Sequence, residues 1–447
     1  MSCFSIDRSL FKLKLASDSI LWILITYAAT YFIYQDFDIP LTLGFLFVLL
    51  IVGINVLKKT RIKVNYIGLA LVLLNVVVAL QYIRPDANIN IDTIMCLLAM
   101  LMFSFAAMVA TPSGDVVSRA LCYMRIVAFV FTTFILFFTI CRTLFIDTLY
   151  PILSKPSQMY FDRFLPRGFN PCLGASYTYN DYVIVMGIAS VSASLFNKSK
   201  KGSKIKDFFL LGYFMLGIFL IERRGELAAI CIALWFLWVL VNTGRKRVII
   251  IAITVGLACL LYTLVTYYFP IIRHWDAVSR YVRSIEMLTS GQDITSGRTE
   301  LYAIAIDQFK DNPVFGIGWK SYATYIPAQF RVVHGEKVMD VHNNYLQFLC
   351  ESGVVGTFFI LIPLMVIIVA PIRNLLLCVR RLRRTNNRIP ELEDALCASI
   401  VAVVIQLFFF FVGFLDPCFY KSYYWCFYAI SVVFAIYGHR TIKAIQN

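Results

Sequence analysis

The sequence predicts an all-α polytopic membrane protein with about twelve transmembrane helices. Apolar residues make up 60% of the 447-residue chain, charged residues only 15%, and the mean hydropathy is +0.75. Soluble domains are about 45–50% apolar and about 25% charged, so this composition excludes both a soluble globular protein and a disordered chain. The placement of the basic residues along the chain then predicts how the helices are oriented.

Twelve apolar stretches are candidates for crossing the bilayer. A helix needs about 20 apolar residues to span about 30 Å of hydrocarbon, so the shorter stretches must include flanking polar residues. The first stretch follows basic residues, as in a signal peptide, but it lacks a good cleavage site and is predicted to stay as a first helix. The twelve stretches are 20–34, 39–57, 64–82, 92–110, 120–140, 180–196, 207–221, 226–242, 248–268, 354–371, 395–414 and 419–437.

Lysine and arginine concentrate on one side of this predicted topology. They occur in both termini and in the connections near 58–63, 198–206, 245–247 and 373–388. Cytoplasmic connections are enriched in basic residues, so both termini are predicted to be cytoplasmic. The net charge of +15 is therefore explained by topology and does not indicate a nucleic-acid-binding surface.

Two predicted extracytoplasmic segments are longer than a turn, near 147–179 and 269–343. The second contains eight basic and eight acidic residues, and this balance is typical of a folded segment. Apolar residues at helical spacing predict a helix over 299–310, which Asn312 and Pro313 end. The predicted organisation is thus helices one to nine in 1–268, a large outer loop in 269–343, and helices ten to twelve in 344–447.

The twelve cysteines do not suggest a metal or redox centre. They lie mostly inside apolar stretches, and no two have the Cys-x-x-Cys spacing. Buried free cysteines that act as small apolar residues explain this distribution.

Two adjacent arginines, Arg223 and Arg224, occupy a short connection on the side where basic residues are scarce. The uncharged apolar runs on either side, 208–221 and 227–241, are 14 and 15 residues long. Each run spans only about 21–23 Å, so both arginines are predicted at or below the outer hydrocarbon boundary. They either pair with neighbouring glutamates and lipid headgroups or bind an anion.

His342 precedes the tenth apolar stretch. A single helix from 342 to 371 would be about 45 Å long, so His342 is predicted either above the membrane or on a segment folded back at Gly353. A lone histidine is most often structural. A neutral imidazole is also the group that takes a proton from a hydroxyl, as sugar transfer requires.

Four features occur in a fixed order in the second half of the chain. Arg224 precedes a glycine, Arg298 lies in a polar stretch, residues 312–319 read Asn-Pro-x-Phe-Gly-x-Gly-Trp, and His342 opens a segment that ends at Gly353. Together they resemble the O-antigen ligase and O-antigen polymerase family over about residues 220–370. The rest of the chain is similar to this family only in architecture.

The resemblance implies a metal-independent, inverting membrane glycosyltransferase without a cofactor. It implies a glycan donor carried on undecaprenyl pyrophosphate at the outer face of the bacterial inner membrane. Arg224 and Arg298 would hold the pyrophosphate, with Arg223 as a further contact, and His342 would be the base on the acceptor hydroxyl. Guanidinium groups suit this role independently, because they are permanently charged and bind phosphate in a bidentate manner.

Further residues are candidates for the donor and acceptor cavity. For the two aromatic candidates, Tyr302 and Trp319, packing in the core or at the membrane interface is as good an explanation as contact with a sugar or lipid. The candidates are Arg167, Asn180, Asn343, Tyr302 and Trp319.

The sequence leaves alternatives open for the acceptor of the glycan and for the class of protein. Ligation to lipid A core and polymerisation of a growing polysaccharide use the same donor chemistry, and attachment to protein is a third version. A transporter or a flippase of lipid-linked glycans also has about twelve helices. Such proteins place ionisable residues near the membrane midplane, whereas the interior runs here carry almost no charge.

Overall fold

The computed structural model describes most of the chain as helix. The described residues are 8–37, 41–59, 65–164, 178–197, 204–221, 223–242, 244–249, 298–327, 340–384 and 389–446, together with 251, 287, 332–333 and 336–337.

Fifteen α-helices lie within these ranges. They are α1 (Arg8–Phe37), α2 (Leu41–Lys59), α3 (Tyr66–Tyr82), α4 (Ile91–Val109), α5 (Gly114–Ile140), α6 (Arg142–Thr148), α7 (Lys155–Phe164), α8 (Thr178–Phe196), α9 (Lys204–Leu220), α10 (Arg224–Val241), α11 (Arg298–Asp311), α12 (Tyr322–Tyr325), α13 (Asn344–Arg384), α14 (Pro390–Val412) and α15 (Tyr424–Gln446). Two-residue strands, β1 (Val332–Val333) and β2 (Glu336–Lys337), pair antiparallel.

The helices coincide with the predicted apolar stretches. Eleven of the twelve stretches fall on α1–α5, α8–α10 and α13–α15, and the stretch 248–268 lies almost wholly outside the described residues. Four described helices are long and apolar enough to cross a membrane: α5, α10, α13 and α14. The chain is therefore a helical protein with membrane-spanning segments, and the twelve crossings with cytoplasmic termini stay a prediction.

The helix α14 lies at the centre of the bundle. It packs against α8, α10, α13 and α15, and 89% of its most apolar 18-residue window is buried inside the protein. A helix that is apolar on all sides is typical of such a position. The end of the bundle at which α14 finishes and α15 begins carries the polar residues described below, and we call it the site end.

Helix α13 contains a sharp break at Gly353. This residue has φ +63° and ψ −171°, a left-handed conformation that side chains with a Cβ rarely adopt. The break exposes the backbone of α13 to residues 313–321, which we call the 313–321 turn. Ile317 N donates to Cys350 O at 3.0 Å, and Val354 N donates to Pro313 O at 2.9 Å. The break at Gly353 is thus a docking point for the 313–321 turn.

Replacing Gly353 with alanine is expected to disturb this docking. A Cβ at Gly353 would lie 2.3 Å from Val314 O, in addition to the strain of a positive φ. We expect Gly353→Ala to lower the stability by about 1–3 kcal/mol, measured by thermal unfolding in detergent. Gly212→Ala is the control, because a Cβ there meets nothing within 4 Å. Equal unfolding temperatures for the two variants would contradict this account of the turn.

Candidate functional site

Two helices begin beside the same turn at the site end. The Arg298 guanidinium, in the first residue of α11, donates to Leu415 O at 2.8 Å. Gly225, in the first turn of α10, lies against the Leu415 side chain so closely that a Cβ would be 2.7 Å from it. Arg224 and Arg298 therefore begin helices that meet at one residue. Helix N-termini carry partial positive charge and favour anions, as the arginines do.

His342 lies directly before α13 in an unusual conformation. Its φ is +59°, which is uncommon for a residue other than glycine. Its side chain is 39% exposed, and Nδ1 is buried 3.9 Å from Asp416 Oδ1. The Tyr302 hydroxyl of α11 donates to His342 O at 3.4 Å, and burial raises the pKa of this tyrosine. The imidazole is thus held beside a carboxylate and still reaches the surface.

Asp416 lies in the connection between α14 and α15, and its side chain is only 4% exposed. Lys421 Nζ lies 3.1 and 3.2 Å from its two oxygens, and the Tyr424 hydroxyl donates to Oδ2 at 3.2 Å. Burial alone would raise the pKa of Asp416, but the Lys421 ammonium and His342 hold this pKa well below its usual range. Asp416 is therefore an ionised carboxylate next to His342.

Arg223 is engaged in a buried ion-pair cluster. Its guanidinium lies 2.6 Å from Glu226 Oε1 and 3.5 Å from Asp181 Oδ2, and the three side chains are 9%, 4% and 0% exposed. Removing the guanidinium from this cluster would leave two carboxylates buried without their cation, which is costly. This agrees with the alternative in which Arg223 pairs with a neighbouring glutamate, while its phosphate contact stays a prediction.

Like His342, Lys320 has a left-handed backbone conformation, with φ +60°. Its backbone N–H donates to Glu351 Oε2 at 2.9 Å, and its Nζ lies 3.3 Å from Asp340 Oδ1. Burial would raise the pKa of Asp340, but the ammonium groups of Lys320 and Lys421 lower it overall. The 313–321 turn therefore brings a lysine to the segment that carries His342.

Two of the remaining candidates, Asn343 and Tyr302, have hydrogen-bond partners in the structure. Asn343 Oδ1 accepts from Tyr345 N and Leu346 N, each at 3.0 Å, and so caps α13. Asn180 is fully buried on α8. Arg167 lies outside the described residues. Of the cavity candidates, Tyr302 contacts the site through the backbone of His342.

Trp319 lies in an aromatic stack. It is 2% exposed and stacks on Phe348 and Tyr420, with ring centroids 6.0 and 4.5 Å apart. This stack anchors the 313–321 turn, as the packing alternative for Trp319 expects. The sugar contact of Trp319 stays a prediction.

No cluster of three or more histidine, cysteine, aspartate or glutamate side chains that could hold a metal occurs among the described residues. One Asp-x-Asp sequence, the spacing common in metal-dependent sugar transferases, is Asp36 to Asp38. Asp36 is buried and accepts from the Ser157 hydroxyl at 2.7 Å, while Asp38 lies outside the described residues. Asp36 thus anchors α7 to α1.

The sequence reasoning missed Asp416 and Lys421. Asp416 lies between two long apolar runs, 395–414 and 419–437, and Lys421 lies at the start of the second run. These two opposite charges were the available signal, because a charge that close to a membrane-spanning run is costly unless it is paired or functional.

Comparison with known protein families finds a match for about a third of the chain. Residues 208–361 match the family model described as O-antigen ligase. No curated protein matches the chain. The match covers α10, α11 and His342, and this family implies a membrane glycosyltransferase-type enzyme with a lipid-linked glycan substrate. The match overlaps residues 220–370, which carry the resemblance to the O-antigen ligase family, and that resemblance is therefore confirmed.

Proposed function

We propose that the protein transfers a glycan from undecaprenyl pyrophosphate to an acceptor hydroxyl at the outer face of the inner membrane. The observation that carries this proposal is the meeting of Arg298, the Arg224 helix start and the His342–Asp416 pair around one turn. It supports a site in which a pyrophosphate and a base lie next to each other.

The arginines are suited to the donor. As the bond between the sugar C1 and the phosphate oxygen breaks, the leaving lipid pyrophosphate takes the electron pair and gains negative charge. Arg224 and Arg298, at the N-termini of α10 and α11, present fixed positive charge to this anion. In a poorly solvated site such pre-oriented donors stabilise the transition state, and no metal is needed for that step.

His342 is suited to the acceptor. Its Nδ1 faces Asp416, so Nε2 is the nitrogen that takes the acceptor proton while the acceptor oxygen bonds to C1. The ionised Asp416 stabilises the imidazolium that forms. Attack opposite the leaving pyrophosphate inverts the configuration at C1. Each proton and electron pair is thus accounted for by the donor, the acceptor and these side chains.

The acceptor we propose is lipid A core, as in O-antigen ligation. Polymerisation of O-antigen, capsule or exopolysaccharide uses the same donor chemistry with a growing glycan as acceptor. The two reactions differ in product length, since ligation adds one preformed chain and polymerisation extends the donor.

The test is glycan transfer by the purified, reconstituted protein in EDTA. Undecaprenyl-pyrophosphate glycan is the donor, and lipid A core or a second donor molecule is the acceptor, with products separated by length. We expect the protein to transfer glycan in EDTA. Adding Mg²⁺ should raise the transfer rate by no more than about twofold, because arginine side chains stabilise the charge of the leaving group. A folded protein that transfers to neither acceptor would contradict the proposal. Transbilayer movement of the donor without transfer would instead identify a flippase.

A further inference from the structure

One oxygen of Asp416 lies near both Lys421 and His342. Oδ1 lies 3.1 Å from Lys421 Nζ and 3.9 Å from His342 Nδ1. Oδ2 is also contacted by Lys421 Nζ, at 3.2 Å, and by the Tyr424 hydroxyl, at 3.2 Å. Lys421 therefore competes with His342 for the same carboxylate and is the closer of the two.

We propose that Lys421 is a positioning residue that keeps His342 in its neutral, proton-accepting form by holding the Asp416 carboxylate. This inference rests on the proposed function, because it concerns the base of that reaction. A carboxylate facing a histidine without a competing cation stabilises the imidazolium, and the histidine then starts the reaction already protonated. Lys421 opposes that attraction in the resting site, while Asp416 stays beside Nδ1 for the transition state.

Burial makes the Lys421–Asp416 pair strong enough for this role. Asp416 is 4% exposed and Lys421 is 29% exposed. Burial would lower the pKa of Lys421, but Asp416 raises it above its ordinary value, while the pKa of Asp416 is depressed. Both groups therefore stay charged throughout the pH range in which a histidine titrates.

Other charged and titratable groups lie at the site end and are unchanged in sequence in a Lys421 variant. They come from α8, α10, α11, α15, the 313–321 turn and the segment before α13. These groups are Asp181, Arg223, Arg224, Glu226, Arg298, Tyr302, Lys320, Asp340 and Tyr424. A change in pH dependence in a Lys421 variant thus reports on the Lys421–Asp416 pair.

The test is the pH–rate profile of glycan transfer by Lys421→Met in the full-length protein. Transfer requires neutral His342, so the rate falls on the acid side of the profile. Without Lys421, the imidazolium gains the undivided attraction of Asp416, and we expect this acid limb to move to higher pH by about one unit or more. Raising the pH should restore the rate, and the apparent KM for the donor should stay within about twofold, because the phosphate ligands are unchanged.

Two further variants test the direction in which the acid limb of the pH–rate profile moves. Lys421→Arg keeps the cation and should leave the acid limb in place. Asp416→Asn removes the carboxylate that favours the imidazolium, so its acid limb should move to lower pH while its maximal rate falls. If Lys421→Met does not fold, Lys421→Gln takes its place, since the amide can still donate to the buried carboxylate.

Lys310→Met is the matched control, because Lys310 pairs with Asp307 on the exposed surface of α11 with both side chains about two-thirds exposed. An acid limb that is unmoved, or moved to lower pH, in folded Lys421→Met would overturn the inference. Loss of rate at every pH in Lys421→Met with an unchanged unfolding temperature would also overturn it. Absence of transfer by the wild-type protein would instead overturn the proposed function, so the two failures are distinguishable.

Discussion

Replacing His342 with glutamine is expected to lower the rate of glycan transfer by about 10²–10⁴-fold, the usual contribution of a general base. Glutamine retains the approximate size of the side chain but cannot accept and hold the acceptor proton at neutral pH. Arg224 and Arg298 are unchanged, so donor binding should stay within about twofold of wild type. The measurement is the turnover number at saturating donor and acceptor, with donor affinity determined separately.

The control for this variant is His439→Gln. His439 lies on α15, where its ring contacts the ring of Tyr66 edge to face at 4.8 Å, and it has no part in the proposed reaction. Its replacement should leave the turnover number within about twofold of wild type, as is usual for a residue outside the site. A His342 variant that turns over at the wild-type rate would remove the base from the mechanism.

Replacing Arg298 with alanine is expected to lower turnover by about 10²–10³-fold, which is typical for losing one group that stabilises transition-state charge. Because Arg298 also contacts Leu415 O, part of the loss comes from a less well fixed α11. Arg298→Lys separates the two effects. It keeps the charge but loses the planar, bidentate geometry, so we expect an intermediate rate. Donor affinity should fall in both variants, unlike in the His342 variant.

Arg142→Ala is the matched control for Arg298→Ala. Arg142 also begins a short helix, and its guanidinium packs over the Phe138 ring at 5.7 Å. Its loss removes a positive charge from the protein without touching the site. Equal losses of turnover in the Arg142 and Arg298 variants would show that net charge matters and that a specific phosphate contact does not.

Most helices could be predicted because a membrane helix needs a long apolar run, which is a strong signal in a single sequence. Helix α11 was also predicted over 299–310, and it is observed at Arg298–Asp311 with Leu301 and Ala305 buried. The contact between the 313–321 turn and α13 could not be predicted. It consists of backbone hydrogen bonds between distant segments, and backbone groups carry no residue-specific signal.

The site could be predicted only in part. His342, Arg224 and Arg298 were recognised through their order in the family resemblance, and the structure brings them to one end of the bundle around Leu415 and Asp416. Asp416 and Lys421 lie outside the region that carries the resemblance. Their pairing with His342 depends on how α14 and α15 pack, which local sequence does not determine.

The roles of Trp319 and Arg223 show the limit of reasoning from residue type. An aromatic residue and an arginine are both suitable for binding a lipid-linked glycan. The structure uses them for internal stacking and for neutralising Asp181 and Glu226. Burial in the loops that join membrane helices has no simple pattern in the sequence, so residue type alone does not predict these contacts.

The most direct test of the central claim is a single turnover of the wild-type protein loaded with undecaprenyl-pyrophosphate glycan in EDTA. After the acceptor is added, the released lipid pyrophosphate and the glycosylated acceptor are quantified together, and the anomeric configuration of the new bond is determined by NMR. We expect equal amounts of both products, formed at the same rate, with the configuration at C1 inverted. Retention of configuration, or product formation only after a metal is added, would contradict direct displacement by a His342-activated hydroxyl.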